Sequence, residues 1–226
     1  MKFETRCLVY AATYPSVFIL ILLLVQLCDG LYGLELYRYG NYPLDISQLY
    51  GPFLQPLFHS GFDHLGSNAV PLFILMWSLF YFYGDVAFAA YAWIWVGSGL
   101  FTWFIGRPSY HIGASGLIYG LLFFLFFSGI FRKIRELMAL SVLLVFLYGS
   151  IVWGMLPVAQ LIEPDASWEG HLSGAFTGLL VAVYFRNHPP QRKVEPEPDT
   201  EDEDHYSGPI DSSSEPEGKG EEKLLS

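Results

Sequence analysis

Ser115 lies in Gly113-Ala114-Ser115-Gly116 and His171 in Gly170-His171-Leu172-Ser173-Gly174, each in apolar surroundings. A serine hydroxyl is a poor nucleophile until a neighbouring base takes its proton, and a neutral imidazole suits that task. His64 and Asn68 form an i, i+4 pair on one helical face, so their N–H groups can point at one oxygen. Acyl transfer needs such donors at its developing oxyanion, and the backbone N–H of Ser115, at a helix start, supplies a third. Tyr119, four residues after Ser115, shares its face and is expected to support the imidazole of His171. These faces hold no acid; Asp63, the nearest, is expected to face water. The pattern predicts a Ser-His dyad rather than a triad.

Apolar runs must position these residues. They extend over about Leu8–Cys28, Leu65–Phe82, Val86–Ile105, Ala114–Phe131, Leu137–Leu156 and Leu172–Phe185. Roughly 20 apolar residues cross a bilayer as a helix, so six spans are expected. The first is read as a retained signal-anchor, because Leu27-Cys28-Asp29 has no small-residue cleavage pattern. Lys2, Arg6, Arg132, Lys133, Arg135, Arg186, Arg192 and Lys193 then fall on one side, and only Arg38 and Arg107 on the other. The positive-inside rule places both termini in the cytoplasm. Even-numbered spans all begin outside, so His64, Asn68, Ser115 and His171 share one depth on three helices. Polar groups at such a depth are costly and are kept for a purpose.

Lateral approach is also written in the residues. Gly116 and Gly120 have the GxxxG spacing, as do Gly170, Gly174 and Gly178. Small residues at that interval let two membrane helices meet backbone to backbone. Packing of those two faces would carry Ser115 and His171 into hydrogen-bond range.

Charged residues make up 15% of the chain, below the quarter usual in soluble domains. Up to His188 there are 10 acidic and 8 basic residues; beyond it, 12 and 4. The net charge of −10 therefore resides mostly in the segment after His188. Two units follow: a membrane domain over 1–188 and an acidic, disordered cytoplasmic tail over 189–226. The outside segment Gly30–Gly61 is rich in Leu, Tyr and Phe and broken by Gly and Pro, as expected of a loop at the membrane interface. No basic patch points to nucleic acid. Cys7 and Cys28 flank one apolar run, too far apart along a helix to bridge. A metal site from His59, His64 and His171 is not expected, since the H-E-x-x-H string of zinc proteases is missing. No cofactor is expected.

Gly113-Ala114-Ser115-Gly116 resembles the GxSG motif of rhomboid proteases. His64-Leu65-Gly66-Ser67-Asn68 resembles their HxxxN, with His59 five residues earlier, and Gly170-His171-Leu172-Ser173-Gly174 with Gly178 resembles their last-helix motif. The resemblance covers about Leu8 to Phe185. It implies an all-α, six-helix membrane bundle with a long outside first loop, the dyad Ser115–His171, and oxyanion donors His64, Asn68 and the Ser115 amide. It further implies that His59 shapes the site, that Gly113, Gly116, Gly174 and Gly178 support it, and that substrates are membrane-spanning helices with unstable segments. One departure stands in the first loop, where Leu49-Tyr50-Gly51-Pro52 replaces the family's Trp-Arg pair.

Blander roles compete with these. His59 reads as structural by its place in a loop near the interface, and His111 likewise. Ser173 reads as a packing residue, and Trp153, Trp168 and the loop Pro157–Glu169 as parts of a gate. Two other functions compete with the protease: a catalytically silent rhomboid-like protein that binds membrane helices, and a small transporter or channel. The first would have lost Ser115 or His171. The second would carry charges within its spans, whereas Asp85 and Glu136 lie at span ends.

Overall fold

The structure is a computed structural model and describes residues 3–133, 135–147, 153–158, 161 and 166–188. Among these there are seven α-helices: α1 (Phe3–Tyr32), α2 (Gly51–Leu54), α3 (Phe62–Phe82), α4 (Gly84–Ile105), α5 (Ser115–Arg132), α6 (Arg135–Leu147) and α7 (Trp168–Tyr184). Short 3-10 turns at Leu36–Tyr39, Ile46–Gln48 and Gln55–Leu57 shape the chain between α1 and α3, and another at Phe185–Asn187 extends α7. The single β pairing among the described residues is an isolated antiparallel bridge between Asn41 and His111.

Among the described residues, four helices are long and apolar enough to cross a membrane: α1 over Thr5–Tyr32, α3, α4 and α5. Their outer surfaces carry large exposed apolar side chains, among them Val9, Leu20, Phe88, Trp93 and Phe104. Lipid-facing surface requires such side chains, because no hydrophobic penalty attaches to them there. On α1 the buried residues are Ala11, Pro15, Phe18, Leu22 and Gln26, a narrow stripe at three- and four-residue steps. That stripe lies on α3. Tyr14 stacks on Phe80 of α3 at 4.3 Å, Phe18 meets Trp95 of α4 at 5.3 Å, and the Trp77 indole donates to the Leu8 carbonyl at 3.0 Å.

The centre of the bundle is the pair α5 and α7, with α4 packed against both. Glycine makes the pairing possible. A Cβ on Gly174 would overlap the carbonyl of Gly116, and one on Gly178 the carbonyl of Gly120. Backbone rather than side chain fills that space, so no rotamer change could relieve the clash.

The apolar runs and the helices differ at their ends. α1 outruns its predicted end at Cys28 to reach Tyr32; α3 begins at Phe62, placing His64 and Asn68 in its first two turns. The run Leu137–Leu156 is helical over Arg135–Leu147, but Gly154 to Leu156 lie in turns. Gly154, with its low helix propensity, and Pro157, which restricts Leu156, are the physical reasons. The run Leu172–Phe185 begins earlier, at Trp168, because Ser167 caps the helix there. Cys7 and Cys28 are free thiols about 30 Å apart along α1. The tail from 189 onward and residues 159–160 and 162–165 of the loop Pro157–Glu169 lie outside the described residues.

Candidate active site

Ser115 is the first residue of α5, where the amides of the opening turn have no intrahelical acceptor. The turn before it depends on Gly113, whose φ of +98° is left-handed. A side chain there would be doubly excluded, since a Cβ would stand 2.8 Å from His64 Cε1 and 2.9 Å from His64 Nε2. Gly113 N–H donates to the Gln55 carbonyl at 3.0 Å, tying the turn to the segment before α3.

His171 occupies the first turn of α7, with its Nε2 2.9 Å from Ser115 Oγ. Its Nδ1 lies 2.8 Å from the Gly154 carbonyl oxygen. A carbonyl can only accept, so Nδ1 carries the proton of the neutral ring and Nε2 presents a lone pair to the serine hydroxyl. This assignment rests on the hydrogen-bond network. The Tyr119 ring stacks on the imidazole, with centroids 4.3 Å apart and planes 12° from parallel. Two hydrogen bonds and one stacked face thus fix the orientation of the ring.

His64 points its Nε2 toward Gly113, and its Nδ1 lies 3.4 Å from the Ser60 N–H and 3.2 Å from Ser60 Oγ. Because that backbone amide can only donate, Nδ1 accepts and the proton sits on Nε2, aimed toward the Ser115 turn. Asn68 is buried; its Nδ2 gives one hydrogen to the His64 carbonyl at 3.0 Å. The second hydrogen of that amide remains for another acceptor.

His59 is 3% exposed and accepts the Ala114 N–H at 3.4 Å through Nε2, while its ring meets that of His64 edge-on at 5.1 Å. Burial, aided by the neighbouring His64, lowers its pKa from 6.5 to about 3, so it is a neutral acceptor. It therefore reaches deeper than an interfacial loop position implied, and touches the turn that presents Ser115. Asp63 is exposed, as its position suggested.

Sequence reasoning gave no role to several residues around this centre. The Gly154 carbonyl had no signal, since a backbone acceptor has no residue type. Asn41 is fully buried and donates to Gln55 Oε1 at 2.9 Å and the Gly99 carbonyl at 2.8 Å, joining the first loop to α4. His111, read as a bland loop histidine, is 2% exposed and pairs with Asn41 through both backbone groups at 2.8 and 2.9 Å. Its Nδ1 lies 2.6 Å from Ser167 Oγ and its Nε2 3.1 Å from the Arg107 carbonyl. Burial lowers its pKa. Ser173 is buried, consistent with packing.

Comparison with known proteins gives the same direction. The family model described as Rhomboid domain matches residues 47–188. An uncharacterized protein of Mycobacterium tuberculosis and another of Mycobacterium bovis are each 38% identical over 191 residues, covering 81% of this chain and 78% of their own. An uncharacterized protein of Mycobacterium leprae is 35% identical over 185 residues, covering 77% of this chain and 71% of its own. The family match, over more than half of the chain, establishes that this chain belongs to the rhomboid family.

Proposed function

We propose that this protein is an intramembrane serine endopeptidase that cleaves peptide bonds in or near transmembrane segments of other membrane proteins, with Ser115 as nucleophile and His171 as base. The observation that carries the reading is the 2.9 Å contact of His171 Nε2 with Ser115 Oγ, on a ring whose Nδ1 is committed to Gly154. Ser115 Oγ attacks the scissile carbonyl carbon while its proton passes to His171 Nε2. His64 Nε2–H, Asn68 Nδ2–H and the Ser115 amide donate to the resulting oxyanion. Collapse of the intermediate breaks the C–N bond, and His171 returns its proton to the leaving amine. Water then attacks the acyl ester, giving its proton to His171, and Ser115 leaves as the restored hydroxyl. No step calls for a metal or cofactor.

In this reading the membrane domain spans 1–188 with six crossings, the four long helices plus those containing α6 and α7. α7 is 17 residues, about 26 Å, and its 3-10 extension lengthens it further. The distribution of Lys and Arg supports a cell-membrane protein with both termini cytoplasmic, the site near the outer leaflet, and the segment between α1 and α3 outside. The acidic tail 189–226 then extends into the cytoplasm.

Purified protein in lipid vesicles with a labelled single-span substrate tests the assignment. Native protein should cleave, and folded Ser115→Ala and His171→Ala variants should be silent. Cleavage by both variants at the native rate would overturn it. A native protein that binds membrane helices without cutting any, and whose Ser115 resists serine-directed reagents, would instead be a silent helix-binding member of the family.

A further inference from the structure

Two links join residues 56 positions apart in the chain. One is Ser115 to His171; the other is His111 to Ser167, at 2.6 Å between Nδ1 and Oγ. His111 precedes Ser115 by four residues and Ser167 precedes His171 by four, so the two links and the two short stretches of chain form a closed ring. Resting on the Ser115–His171 reading, we propose that His111 is a positioning residue for the base, acting through the Ser167 hydroxyl on the first turn of α7.

Direction can be assigned along the whole relay. The Arg107 carbonyl accepts from His111 Nε2–H, leaving Nδ1 as an acceptor. Ser167 therefore donates its hydroxyl hydrogen to Nδ1 while its oxygen accepts the Gly170 N–H at 3.1 Å. The same residue's carbonyl accepts the His171 N–H at 3.1 Å. Ser167 is thus the N-cap that satisfies two amides of the turn bearing the base, and His111 fixes which way that cap points. His111 is itself immobile, since it is buried and its backbone is paired in both directions with Asn41. A second strap runs alongside. Arg107 Nη2 donates to the Ala166 carbonyl at 3.0 Å, and its Nη1 lies 3.4 Å from the buried Glu169 carboxylate. The glycine contacts of α5 and α7 set how close the helices come; the relay sets where the first turn of α7 points. A displacement of about 1 Å in such a turn can cost ~100-fold in rate.

Steady-state cleavage and the rate of Ser115 labelling by a fluorophosphonate should be measured for the native protein, His111→Ala, Ser167→Ala, the double variant and Ser167→Thr, all in lipid vesicles. Thermal unfolding establishes that each is folded. Each alanine variant should lose roughly 10–100-fold in kcat with KM within about 2-fold, because substrate binding is untouched. The double variant should be no worse than the worse single, and Ser167→Thr, which keeps cap and donor, should recover most of the rate. If His111→Ala fails to fold, Ser167→Ala and Ser167→Thr, which retain His111, decide the question. Folded variants with native kcat and labelling, losses that multiply in the double, or a threonine no better than alanine would each overturn the inference while leaving the dyad standing. A native protein that neither cleaves nor labels would remove the dyad reading, and this inference with it.

Discussion

In the proposed mechanism the base is oriented by a neutral group. Where a triad sets a carboxylate against the second ring nitrogen, His171 has the Gly154 carbonyl, which fixes the tautomer but offers little charge to the imidazolium formed in the transition state. The Tyr119 face is the other partner of that ring. Tyr119→Ala, which removes the stacked face, should therefore lower kcat ~10-fold or more, and Tyr119→Phe, which keeps that face, should retain more of the rate than Tyr119→Ala. Losing an oxyanion donor has a different signature. His64→Ala and Asn68→Ala should each lower kcat by roughly 100-fold with little change in KM, the mark of an interaction made only in the transition state. An equal rise in KM would assign them to substrate binding instead. Ser115, His171 and Tyr119 could be picked out in the sequence because their types and four-residue spacing carry the chemistry. Gly154 could not, because any residue has a carbonyl, and only the turn that ends the preceding run reveals it.

Helix packing is where spacing was most informative. Gly116 with Gly120, and Gly174 with Gly178, were legible as two small-residue faces, and α5 and α7 meet on them. Gly174→Ala should lower stability by about 1–3 kcal/mol, read as a drop in the unfolding midpoint, because a methyl group there meets the Gly116 backbone. Activity should fall further than stability, as any widening of this contact separates the dyad; an unchanged midpoint would refute the packing argument. Helix ends were less legible. Apolar runs mark where lipid can be tolerated, but Ser167 caps α7 five residues before the run, and turn geometry at Gly154 curtails another. His111 escaped for a related reason: its role depends on two partners distant in sequence, Asn41 and Ser167, and on burial that a loop position does not advertise.

For the molecule as a whole, acid is a predicted weakness. His59 is buried with a pKa lowered to about 3, so the folded state keeps it neutral while the unfolded chain takes a proton below about 6.5. Its contribution to stability is full above pH 6.5 and is lost progressively as the pH falls toward 3; His111, also lowered, acts in the same direction. The unfolding midpoint should therefore decline between pH 7 and 4, and His59→Gln should flatten that decline. An unaltered slope would show that His59 is not the group responsible. The acidic segment after His188 carries most of the net charge and too few apolar residues for a core. Truncation there should leave cleavage within about 2-fold of native.

The measurement that bears most directly on the central claim is the site and dependence of covalent labelling. A fluorophosphonate reacted with the native protein in lipid, followed by peptide mass spectrometry, should place the adduct on Ser115 alone, and folded His171→Ala should show none. An adduct on another serine, or undiminished labelling of Ser115 without His171, would contradict the dyad.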